Sequence, residues 1–137
     1  MSDINVLSLI PQRAPIIMID ALEYVDEKTT ISTFTVKESS IFSNSGYLSE
    51  SGVLENIAQT GAAGFGYSAI NENKPVSLGF IASIKNITIH SLPPIGATIK
   101  TEVITLEPVL GFNIIKGKVI LNDTIITTCE MRIFIKP

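Results

Sequence analysis

The sequence predicts an α+β fold in which a curved antiparallel sheet wraps around one long central helix. Three observations carry this. One stretch, Ser51 to Ile70 (SGVLENIAQTGAAGFGYSAI), reads as a helix that is apolar or small on nearly every side. Everything after it reads as long strands joined by short turns, which forces antiparallel pairing. One helix cannot hide both faces of a sheet, so the economical arrangement curls the sheet around the helix. The edges and the convex face then need cover, which predicts a homodimer or higher oligomer.

Each element follows in order. Ile4, Leu7 and Ile10 are spaced for one face of a short helix ended by Pro11. Ala14 to Asp20 (APIIMID) is a short apolar run consistent with a buried strand. Asp26-Glu27-Lys28 is a turn, and Thr29 to Lys37 is a β-branched strand that forms a hairpin with what precedes it. Glu38 to Glu50 is a polar loop with Asn44-Ser45-Gly46 as turn chemistry. Ser49 or Ser51 caps the central helix, and Glu50 suits the positive end of its dipole. Strands are expected over Ser77–Ile89, Ala97–Glu107, Phe112–Leu121 and Thr124–Lys136, with Asn122-Asp123 as a tight hairpin turn. In the last strand Ile125, Thr127, Cys129, Met131, Ile133 and Ile135 are expected to face one way.

Composition bounds the rest. The 137 residues suit a single domain, residues 1–137, with a full core. Charged residues are only 17%, which suggests extra burial in an interface. A net charge of −3 gives no reason to expect a nucleic-acid partner. The single cysteine, Cys129, and the single histidine, His90, exclude a disulfide framework and a histidine- or cysteine-built metal site within one chain. No signal peptide and no membrane-spanning run is visible, so a cytoplasmic protein with no cofactor is expected.

Chemistry is expected at Glu55, the only acidic or basic residue in the Ser51–Ile70 helix. An unpaired buried carboxylate costs several kcal/mol or shifts its pKa upward, so it needs a reason. Gln59, four residues on, shares its face. Arg13 or backbone amides are the structural alternative for holding Glu55. His90 reads as an exposed rim residue. Gly61, Gly64 and Gly66 each cost a helix about 1 kcal/mol relative to Ala, and close packing of sheet on helix is the preferred explanation.

Several segments in register resemble the bacterial 3-hydroxyacyl-(acyl carrier protein) dehydratases of the hot-dog fold. Leu9-Ile10-Pro11-Gln12-Arg13-Ala14-Pro15 and the apolar run to Asp20 resemble that family's Leu-Pro-His-Arg-x-Pro opening. Glu55-Asn56-Ile57-Ala58-Gln59 resembles the Glu-x-x-Ala-Gln of its central helix. Phe80 to Ile84 with Pro93-Pro94-Ile95-Gly96 resembles its Phe-x-x-Ile strand and Pro-x-x-Pro-Gly turn. The resemblance covers almost the whole chain and is nearest to a divergent branch of the aryl-polyene or flexirubin type. Departures are equally specific. The loop Glu38–Glu50 contains no histidine where the family carries its catalytic one, Gln12 replaces the histidine of the opening motif, and Ala97 stands where an Asp often follows the turn glycine.

The resemblance implies an acyl-thioester-binding, dehydratase-like lyase acting on 3-hydroxyacyl groups carried by acyl carrier protein (ACP) or coenzyme A in fatty-acid or polyene biosynthesis. Glu55 would be the catalytic acid. The backbone N–H groups of Gly52 and Val53 would serve as oxyanion donors, with an alternative reading in which Gly52 only eases the helix entry. Gln59, Tyr47, Leu78, Phe80 and Ile81 would bind substrate, the last three otherwise being core. Lys116, Lys118 and Arg132 form either a solvated face or a dock for an acidic carrier. Two alternatives stand beside this: a non-catalytic partner subunit of a hetero-oligomeric dehydratase, whose second hot-dog subunit brings the missing base, and an acyl thioesterase.

Overall fold

The computed structural model describes residues 4–76 and 78–136; the side chain of Leu78 also lies outside the described residues, as does Ser77, the expected first residue of its strand. The main sheet has six strands, β1 (Ala21–Val25), β2 (Thr29–Thr35), β5 (Leu78–Ile89), β6 (Thr98–Thr105), β7 (Asn113–Leu121) and β8 (Thr124–Lys136). Their order across the sheet is β1-β2-β6-β7-β8-β5, antiparallel throughout. A small hairpin, β3 (Ser43–Asn44) and β4 (Tyr47–Leu48), leads into the helix α1 (Glu50–Asn71). The sheet curves around α1 as expected, and α1 contacts β1, β2, β5, β6 and β7.

Helix α1 is sunk because its sides are small. A Cβ on Gly66 would collide with the carbonyl of Leu9, one on Gly64 with the Thr30 hydroxyl, and one on Gly61 would sit 3.1 Å from Ile115. From the sheet side, Gly117 makes room for Ile57 in the same way. At Gly66 backbone therefore approaches backbone, and at the other three a side chain from the facing element fills the space a Cβ would take. Two apolar clusters result. One lies between α1 and the sheet, around Phe34, Ile57, Val103, Ile115 and Met131. The other lies under the N-terminal segment, where Val6, Leu9, Ile10 and Ile19 meet Leu22 and Ala63.

Three expectations are corrected. The expected N-terminal helix is only a 3-10 turn, Val6–Ser8, and its buried residues are Val6, Leu9 and Ile10, while Leu7 is exposed. Ala14–Asp20 is not a strand. Met18 and Ile19 are buried as expected, but the hydrogen bonds of Met18 go to helix side chains, and ladder pairing begins only at Asp20, whose N–H donates to the Thr33 carbonyl. In β8 the inward set starts at Thr127. A register shift between Val119 and Ile120 puts Ile126 inside and leaves Ile125 exposed.

The turns behave as read. Asp26 closes the β1–β2 hairpin, its carboxylate accepting the N–H groups of Lys28 and Thr29 at 2.8 Å. The Tyr24 hydroxyl donates to it at 2.6 Å, and that bond holds the Asp26 carboxyl below the usual carboxylate range. Asn122 and Asp123 both take positive φ at the β7–β8 turn. Among the described residues, no helix is long and apolar enough to cross a membrane.

The close packing gives a direct test. Gly66→Ala is expected to lower unfolding free energy by about 1–3 kcal/mol with an unchanged m-value in urea, because the Leu9 backbone cannot step aside. Ser68→Ala, on the exposed side two residues on, should stay within about 0.5 kcal/mol of wild type.

Candidate active site

The site is built on two carboxamides one helical turn apart. Gln59 is fully buried; its Oε1 accepts the Met18 N–H at 2.6 Å, and its Nε2 donates to the Ile16 carbonyl and to Glu55 Oε1, both at 3.0 Å. Asn56, also fully buried, donates from Nδ2 to the Met18 carbonyl at 2.7 Å and accepts the Thr101 hydroxyl at 2.6 Å. Met18 is thus bracketed, N–H to one amide and C=O to the other. Thr60 extends the network, donating to the Asn56 carbonyl at 2.8 Å and sharing a 2.6 Å hydrogen bond with Ser32. Buried amides and hydroxyls of this kind are stable only when partnered.

Gln59 therefore orients Glu55 and does not line the groove. Both of its N–H donors are spent on protein, which leaves none for substrate. Arg13 does not hold Glu55: its guanidinium donates to the carbonyls of Ile10 and Gln12 at 2.7 and 2.8 Å and fastens its own loop.

Glu55 opens onto a groove of about 220 Å³ between α1, the segment Leu9–Gln12 and strands β5 and β8. Glu55, Ala58, Ala62 and Phe65 form its helix side at i, i+3, i+7 and i+10. From Glu55 to Phe65 the stripe runs about 15 Å along the helix. The floor is Ile133 and Ile135, and the mouth is Gly79, Phe80 and Ile81. Of the expected substrate residues, Phe80 and Ile81 line this groove with Glu55. They are 50% and 41% exposed because β5 has no neighbour on its outer side among the described residues. Among the described residues, the polar side chains of the lining are Glu55 and Gln12.

Other expected residues fall elsewhere. Tyr47 is 48% exposed in the β3–β4 hairpin, bridged to Pro94, and is not among the groove residues. The Gly52 N–H is capped by Ser49 Oγ at 3.3 Å and the Val53 N–H is taken by the Ser49 carbonyl at 3.0 Å, so neither is free to hold an oxyanion. A Cβ on Gly52 would come within 2.7 Å of Phe42 and 2.5 Å of Leu48, so the alternative reading, a glycine that eases helix entry, explains it. His90 is exposed at the end of β5, away from the groove. Lys118 pairs with Glu102 at 3.2 Å, and Lys116 lies across from Glu130 in the ladder. These cations sit on a charge-balanced solvated face. No cluster that could hold a metal is found among the described residues.

Asn56, Thr60 and Thr101 are absent from the sequence-based site. The signal was present as Asn56, Gln59 and Thr60, three hydrogen-bonding residues at i, i+3 and i+4 inside an apolar helix.

A curved antiparallel sheet closed over one buried helix, with a single carboxylate at the head of an apolar groove, defines a hot-dog protein. Residues 4–136 match the family model of the ApeP-like proteins, described as ApeP dehydratase, and the chain belongs to that family. Among solved structures it is similar to a chain of the dehydratase heterocomplex ApeI:P from Xenorhabdus doucetiae, with TM-score 0.90 and 18% identity over 98% of this chain and 92% of that one. It is also similar to a mutant thioesterase from Staphylococcus aureus, with TM-score 0.67 and 12% identity over 85% and 93% of the two chains. A Streptococcus mutans protein bound to acetyl CoA gives TM-score 0.66 and 9% identity over 84% and 86%. A search of curated proteins finds no match.

Two measurements check the site's construction. Gln59→Leu strands the Met18 N–H and the Ile16 carbonyl in the interior and is expected to destabilise the fold by roughly 2–5 kcal/mol in urea titration, against about 1–3 kcal/mol for Thr101→Val. Burial pushes the Cys129 thiol up to about 11 from its ordinary 9.0. The folded thiol therefore stays neutral at pH 8, and the stability tied to its protonation is lost only as pH rises from 9.0 through about 11. Iodoacetamide at pH 8 should label Cys129 only in denaturant; rapid labelling of the native protein would contradict this burial.

Proposed function

We propose that this chain is the Glu55-bearing half of a dehydratase for 3-hydroxyacyl thioesters, carried by ACP or coenzyme A, and that a second hot-dog chain brings the base. The observation that carries the reading is the groove itself: an apolar trough with one ionisable group at its head. Removing water from a 3-hydroxyacyl thioester needs a base at C2 and an acid at the C3 hydroxyl. Glu55 fits the acid. Its Oε1 accepts the Gln59 N–H, which leaves Oε2 as the oxygen to carry the proton. That proton passes to the C3 hydroxyl as the C3–O bond breaks and water leaves. The electron pair of the C2–H bond becomes the C2=C3 double bond, and the C2 proton goes to the base.

Among the described residues, no second acid–base side chain lines the groove. The mouth lies at β5, a 12-residue edge strand with Phe80, Ile81 and Ile87 half-exposed. Such an edge invites pairing with another chain, and a partner strand there would seat its own residues beside Glu55. Family membership and the heterocomplex relative support this arrangement.

The test is a dehydration assay on 3-hydroxyacyl and enoyl thioesters, with the purified chain alone and with a second hot-dog protein carrying a histidine. Turnover is expected only in the mixture, and Glu55→Gln should lower its kcat about 10²–10⁴-fold. Full turnover by the chain alone would overturn the half-site. Hydrolysis without dehydration would replace the lyase by a thioesterase.

A further inference from the structure

Among the described groove residues, Gln12 is the one with a buried polar atom left unfilled. Its Oε1 is buried and has no hydrogen-bond partner, and the side chain lines the groove in which Glu55 is the only other polar group. Its placement is imposed. The Leu9 carbonyl lies against Gly66 and the Ile16 carbonyl is held by Gln59, so residues 10–15 pass alongside the groove face of α1. Arg13 clasps the carbonyls on either side, Ile10 and Gln12, and fixes the loop. A buried amide oxygen left open in the groove that Glu55 faces is an acceptor waiting for a donor.

Resting on the reading of the groove as a thioester site, we propose that Gln12 accepts the hydrogen bond of the substrate's C3 hydroxyl and so selects 3-hydroxyacyl chains over saturated ones. The geometry of donors and acceptors is complementary. The Glu55 acid donates to the hydroxyl oxygen, and the hydroxyl hydrogen is donated to Gln12 Oε1. A saturated chain leaves both groups unpaired, and a site built to bond a hydroxyl rejects the analogue that lacks it. Gln12 thereby also points the leaving oxygen at the proton of Glu55, acting as a substrate-binding and positioning residue.

The experiment compares binding of 3-hydroxyoctanoyl-coenzyme A and octanoyl-coenzyme A to the full chain, alone and mixed with the second hot-dog protein, by calorimetry. Wild type should prefer the hydroxylated ligand about tenfold, the ratio one buried hydrogen bond supplies. Gln12→Met, which keeps length and removes the acceptor, should bring the ratio close to one with octanoyl affinity retained and a melting temperature at or above wild type. An unchanged ratio in Gln12→Met, or a wild type that binds both ligands equally, overturns the role of Gln12 and leaves the thioester reading standing. Failure of wild type to bind either ligand in either setting overturns the thioester reading itself, and the assignment of Gln12 with it.

Discussion

The structure depends on the hydrogen bonds that two buried amides, Asn56 and Gln59, make to the backbone of Met18. The segment that crosses α1 joins the sheet only at Asp20, and Met18, buried just before it, has no strand to satisfy its peptide groups. An unpaired buried peptide group costs about 1–3 kcal/mol, so the crossing is possible only because the helix side chains act as a surrogate strand. The same Gln59 amide holds Glu55 at the groove. Structural closure and site geometry are therefore one feature: the residue that lets the N-terminal segment cross also decides which way the carboxylate points.

Around that bracket the helix is divided by size. Gly66 lets the N-terminal segment come to backbone distance, while Gly61 and Gly64 make room for the side chains of Ile115 and Thr30 from the sheet. Ala58 and Ala62 instead line the groove beside β5. Small residues thus serve two purposes on one helix. Where something packs against them they tighten the core, and where the sheet ends they open a groove.

Legibility followed the kind of signal. The helix, the four long strands after it and the hairpin at Asn122-Asp123 were readable because periodicity and turn chemistry act locally. Phe80 and Ile81 with Glu55 were readable through family resemblance. The strand expected at Ala14–Asp20 was not distinguishable from what forms: an apolar run shows burial, but not whether its peptide groups pair with a strand or with side chains 41 residues away. The phase of β8 was readable from Thr127 onward, but Ile125 was misplaced, since a one-residue shift at Val119/Ile120 reverses the faces at the start of the strand and leaves no mark on the pattern of Ile and Thr. The N–H groups of Gly52 and Val53 were reasonable donors on paper. A Ser49 cap that takes one with its hydroxyl and the other with its carbonyl removes both.

Charge placement accords with the proposal that the site is divided between two chains. Lysines on the convex face answer carboxylates across the ladder, Lys118 with Glu102 and Lys100 with Glu23, which keeps that face solvated. Glu55 is the one ionisable side chain of the described groove lining, tolerated because Gln59 holds one oxygen and the groove leaves the other open. A second ionisable group placed in the same trough by this chain would lack such a partner and would penalise the fold whenever the trough was empty. Supplying that group from another chain across the β5 edge avoids the penalty, because the site is complete only when assembled. A carboxylate that one chain can hold by itself is what the proposed division of an acid–base pair asks of this half.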